Sequence, residues 1–133
     1  MFLRQLSDDE RAAFDTLAHR LVASDGGLAR QEEELLSQIR FELGFSQERP
    51  VDDRDVDALA EVFAQARSRR IVLLELLGIA HVDHEFHAAE GELVRRLAKK
   101  FSVSETELLT LENWTLRMMS MVSEAGALLG NEE

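Results

Sequence analysis

Apolar positions recur along this chain at intervals of three and four, the period of a helix that buries one face. Phe14, Leu17, Ala18, Leu21 and Val22 mark a first stripe, and the capping pattern Ser7-Asp8-Asp9-Glu10 opens it. A second helix is expected over about 30–43, with Leu35, Leu36, Ile39 and Leu43 inward and Gly44 placed to end it. Pro50 and the acidic run 51–55 interrupt the chain, after which Val56, Leu59, Ala60 and Phe63 give a third stripe. The fourth helix, about 69–80, is apolar nearly all round except at Glu75 and Gly78, so it should be central and covered by the others. A fifth is expected over about 88–101. The pattern Ser104-Glu105-Thr106-Glu107 then opens a long last helix bearing Leu108, Leu111, Trp114, Met118, Met121, Val122 and Ala125. Met118, Met119 and Met121 could form an adaptable binding surface, but at helical spacing they are expected to be core. Strand signals are absent, and the expected fold is all-α, a compact bundle of six to seven helices.

The pattern is written twice. The stretches "SDGGLARQEEELL" (24–36) and "VDHEFHAAEGELV" (82–94) align 58 positions apart, placing Asp25 on Asp83, Glu32 on Glu90, Glu34 on Glu92 and Leu35 on Leu93. The same shift pairs Leu28 with Phe86, Leu36 with Val94, Ile39 with Leu97, Leu43 with Phe101 and Phe45 with Val103, without a gap. Two helix–loop–helix–helix halves, about 7–67 and 68–129, are therefore expected to pack around one core in a single domain spanning 1–133. Neither half could bury its stripe alone.

Each repeat turns a corner with acids at both ends. Asp25 falls where the first helix runs out, Gly26 and Gly27 allow the chain to reverse, and Leu28 plugs the turn into the core. Glu32 falls about three residues into the next helix, where the amide ends favour a carboxylate. Asp83 and Glu90 repeat the arrangement. One role is to satisfy free helix-end amides; the other is to hold a hard divalent cation. Calcium takes six to eight oxygens and magnesium six, so loop carbonyls, water or convergence of the two corners would have to complete a site. Neither corner has the acid spacing of an EF-hand. The second corner adds His81, His84 and His87, and the i, i+3 pair His84/His87 would favour a transition metal.

The motif Asp-Gly-x-(apolar)-x-x-x-Glu, met by Asp25, Gly26, Leu28 and Glu32 and echoed by Asp83, Phe86 and Glu90, resembles the signature of the TerB-like (tellurite-resistance TerB) family. The resemblance covers roughly 7–129, and the second copy has His84 where the pattern has glycine. It implies a bundle of about seven helices with internal pseudo-symmetry. It also implies a role in stress-related assemblies that are membrane-associated or chaperone-like, with protein partners. The metal ligands it implies are Asp25, Glu32, Asp83 and Glu90, for a divalent ion such as Ca, Mg, Mn or Zn.

Charge and composition narrow the function. The chain of 133 residues carries 26 Asp and Glu against 15 Lys and Arg, a net −11 that repels nucleic acid and attracts cations or basic protein surfaces. There is no cysteine, which suits a reducing cytoplasm and removes thiolate chemistry. No run is long and apolar enough to insert directly into a membrane. A nucleophile elbow, a phosphate-cradling glycine loop, Glu-x-x-His and His-Glu-x-x-His are all missing, so no enzyme is expected. The expected function is a non-catalytic module docking to protein partners, with or without a cation. The alternative is a purely structural scaffold. The basic run Arg67-Ser68-Arg69-Arg70 is expected to be a helix junction with solvated faces.

Overall fold

A computed structural model describes residues 2–24, 30–45, 52–82 and 88–130, the side chains of 30–32 excepted. Among these residues there are a 3-10 turn, Leu3–Gln5, and six helices: α1 Asp8–Ala23, α2 Arg30–Leu43, α3 Val56–Ala60, α4 Ala66–Ala80, α5 Ala88–Lys100 and α6 Glu105–Leu128. No strand occurs among them. The all-α bundle expected from the apolar periodicity is the observed fold.

The helix starts follow local chemistry. Ser7 caps α1 by accepting from the Glu10 N–H, while the Glu10 carboxylate accepts from the Ser7 N–H at 2.8 Å, a complete reciprocal box. Asp55 caps α3 through the Ala58 N–H at 2.8 Å. Ser104 caps α6 through the Glu107 N–H at 3.1 Å, and the Glu107 carboxylate turns outward to Arg70 at 2.6 Å.

The helix ends repeat. At the end of α2, Gly44 has φ +86°, its N–H donates to the Phe41 carbonyl, and the Phe45 N–H donates to the Arg40 carbonyl at 2.9 Å. At the end of α5, Ser102 has φ +60°, its N–H donates to the Lys99 carbonyl, and the Val103 N–H donates to the Ala98 carbonyl at 2.8 Å. Both are the left-handed C-terminal motif that closes the last orphan carbonyls. They lie 58 residues apart, as do the starts of α1 and α4 and of α2 and α5. The likeness stops there, because the five-residue α3 starts at Val56 and the 24-residue α6 at Glu105, 49 residues later.

The core is one cluster. Phe14, Leu17, Leu21, Leu43, Leu59, Phe63, Leu73, Leu76, Leu77 and Leu97 are fully buried within it. Helix α4 is its axis, packing on α1, α5, α6 and the 3-10 turn, as an almost wholly apolar helix must. The run Arg67 to Arg70 is stitching rather than a patch. Arg67 donates to the Gln5 side chain, Arg69 donates to the Phe63 carbonyl at 2.7 Å and lies over the Phe101 ring, and Arg70 binds Glu107.

Candidate functional site

Three places can be built from their residues upward. The first is the pair of acidic corners. Asp25, Asp83, His84 and His87 lie outside the described residues, as does the side chain of Glu32. In the backbone Glu32 is the third residue of α2 and Glu90 the third of α5, the equivalent positions expected from the repeat. Glu90 is buried in the first turn of α5, where the free amides and helix dipole favour its carboxylate, and it is an engaged group. His81 ends α4 and its Nε2 lies 2.9 Å from the Glu112 carboxylate of α6, so the third histidine of this corner ties two helices together. Among the described residues no group of three or more His, Asp or Glu side chains is arranged to hold a metal ion.

The second place is a partly buried polar cluster between α1 and α2 that sequence reasoning missed. Asp15 is buried. Arg40 donates to His19 Nε2; a guanidinium has no acceptor, so the imidazole must carry its proton on Nδ1, which donates to the Asp15 carbonyl at 2.8 Å. Arg40 Nε stands 3.9 Å from Asp15 Oδ1, an ion pair without a hydrogen bond. Both ring nitrogens of His19 are thereby committed to protein partners, which makes the cluster a clamp between helices rather than an acid–base centre. A signal was present in the sequence. Asp15 stands three and seven residues before Ala18 and Val22, on their buried stripe.

The third place is α6. Within one and a half turns its first half is tied to both ends of α4, by Glu107 to Arg70 and by Glu112 to His81. Leu108 and Leu111 pack against the core and Thr115 is buried. Beyond Met119 the helix leaves the body. Met121 is 68% exposed, Val122 62% and Leu128 81%, and Trp114, Arg117, Met118, Met121, Val122 and Ala125 line an open apolar groove along one side. Phe2 rims its inner end, with its ring 6.2 Å from that of Trp114. The expectation that the Met118, Met119 and Met121 stripe is core is therefore corrected. Met118 and Met119 are half-buried and Met121 is outside, because α6 has 24 residues and the α4 on which it packs has 15. At 1.5 Å per residue α6 outruns its support by about 13 Å.

No protein-family model matches the chain, and no curated protein or solved structure matches it. No helix among the described residues is long and apolar enough to cross a membrane.

Proposed function

We propose that this protein is a non-catalytic, TerB-like helical module that works by docking to protein, with the apolar groove of α6 as its docking surface. One observation carries the reading. A helix that runs past its own core with Met121, Val122, Ala125 and Leu128 in water has no partner among the described residues for that face. Contiguous apolar surface of this kind marks an interaction site on a protein in aqueous solution. An isolated helical segment this short is also only marginally stable in water, so a covering partner stabilises it. Methionines suit the role, since their flexible thioethers adapt to the surface they meet. The TerB-like part is supported by the corner motif in the sequence and by the matching registers of α1 with α4 and α2 with α5.

The test is in-cell crosslinking and capture with the wild type and with Met121→Glu/Leu128→Glu. The expected result is that the double variant keeps its helicity and urea midpoint but loses the proteins captured by the wild type. An unchanged set of captured proteins overturns the reading.

A second reading rests on the equivalent places of Glu32 and Glu90 in the first turns of α2 and α5. It has the corners, through Asp25, Glu32, Asp83 and Glu90, bind a divalent cation. Millimolar calcium, magnesium, manganese or zinc then raises the melting temperature, and Asp25→Ala with Asp83→Ala abolishes the rise. No rise with any of these ions removes the cation and leaves the docking reading standing.

A further inference from the structure

Resting on the docking reading above, we infer that the α6 groove takes a second copy of this chain, the two α6 helices pairing antiparallel about a two-fold axis near Met119 and Ser120. The seam is regular. Trp114, Met118, Met121, Ala125 and Leu128 follow one another at intervals of four, three, four and three, the spacing of a supercoiled helix pair. Laid antiparallel on itself, this seam places Met118 against Met121 and Trp114 against Ala125, with Leu128 reaching the edge of the partly buried Leu111. The bulkiest side chain meets the smallest, as interdigitated packing requires.

The charges agree with the same register. Between positions 113 and 130 the helix carries one cation, Arg117, and one anion, Glu124. Both flank the seam on the same side, seven residues and two turns apart. In the antiparallel pair Arg117 of one copy lies within about 3 Å, along the axis, of Glu124 of the other, and the two-fold repeats the contact. An isologous interface needs this self-complementarity, in which each residue meets its counterpart reciprocally. The bodies cause no conflict. Each packs on the first half of its own α6, so the pairing sets them at opposite ends, and the protruding half of each helix covers the half-exposed Trp114 and Met118 of the other.

Other occupants fit less well. A membrane-surface helix carries a lysine- and arginine-rich polar face, whereas α6 has Arg117 alone among Glu105, Glu107, Glu112 and Glu124. A basic peptide would find a single acid, Glu124, beside the groove.

The test is sedimentation of the full chain over a range of concentrations. The wild type is expected to show a monomer–dimer equilibrium. Met121→Glu should raise the dimer Kd by roughly 30-fold or more, as loss of a central anchor does. Arg117→Glu and Glu124→Arg should each weaken the dimer, and the double variant R117E/E124R should recover it, because the exchange restores both pairs. Urea midpoints of the dilute variants verify that the monomer fold is intact. A wild type that stays monomeric at every concentration overturns the pairing, and so does a dimer indifferent to Met121→Glu. A double variant no tighter than the singles overturns the antiparallel register. Binding of a monomer to phosphatidylcholine–phosphatidylserine vesicles without dimer formation also overturns it. Failure here is distinguishable from failure of the docking reading, which stands if Met121→Glu/Leu128→Glu still abolishes capture of other proteins.

Discussion

Ser102 holds a φ of +60° at the end of α5, where Gly44 holds +86° at the equivalent end of α2. A side chain in the left-handed region meets the following carbonyl, at about 1–2 kcal/mol, and glycine escapes that contact at the cost of a more flexible unfolded chain. Ser102→Gly is therefore expected to stabilise the fold by about 0.5–1 kcal/mol, read as a higher urea midpoint, and Gly44→Ala to destabilise it by a similar amount. The exposed end of the acidic run gives a pH prediction. The Arg54 side chain donates to the Asp52 carboxylate at 2.8 and 3.1 Å, and the Arg54 backbone N–H adds a third bond at 3.0 Å. Those bonds, with the arginine charge behind them, hold Asp52 down to about 2 from an ordinary 3.8. Because the folded value is the lower one, the stabilisation is complete above about 3.8 and is lost as pH falls through about 2. A carbon-detected NMR titration should find the Asp52 carboxyl titrating near 2, and Arg54→Ala should return it toward the ordinary range.

Helices α4 and α6 are both rich in apolar residues and differ in what covers them. Leu76 is wholly buried at the axis of the bundle, so Leu76→Ala leaves a cavity and should cost about 2–5 kcal/mol. Leu128 is 81% exposed, and Leu128→Ala in dilute solution should stay within about 0.5 kcal/mol of the wild type by urea unfolding. The sequence conveyed most of the element boundaries because the signals are local. Ser7 and Ser104 cap the helices they precede, and Gly44 ends α2. The start of α4 was read three residues late, at 69 instead of Ala66, and Gln65 shows why: it caps α4 without a side-chain hydrogen bond, so no capping residue announces the helix. The methionine stripe of α6 was misread for a different reason. Periodicity states that one face of a helix is apolar and is silent on whether the chain supplies its cover. Glu90 was placed correctly in the first turn of α5, while Asp25 and Asp83 lie outside the described residues. The stripe of Ala18 and Val22 marks Asp15 as buried, but its meeting with Arg40 joins two helices 25 positions apart, which no local pattern encodes.

At the scale of the whole molecule, charge decides how a second copy can approach. The 113–130 segment holds Arg117 and Glu124 and is neutral, so the net −11 resides entirely in the remainder of the chain. With each body centred near Glu112, antiparallel pairing sets the centres about 15 residues, or ~22 Å, apart along the axis. An interhelical spacing of ~10 Å with a body radius of ~13 Å on each side brings the separation to about 40 Å. Treated as point charges in water, they repel by on the order of 3 kcal/mol at 0.01 M salt, where the Debye length is about 30 Å, and by almost nothing at 0.15 M. The exposed Arg117–Glu124 pairs contribute only ~0–1 kcal/mol each and weaken with salt, so the screened repulsion prevails. Dimerisation should therefore tighten as salt rises, by tenfold to roughly 100-fold between those two concentrations, in sedimentation equilibrium. A basic protein partner bound through this acidic surface would show the opposite slope, weakening as salt screens the attraction. The sign of the salt dependence thus separates self-pairing along a neutral apolar seam from capture of a cationic partner by the field of the body.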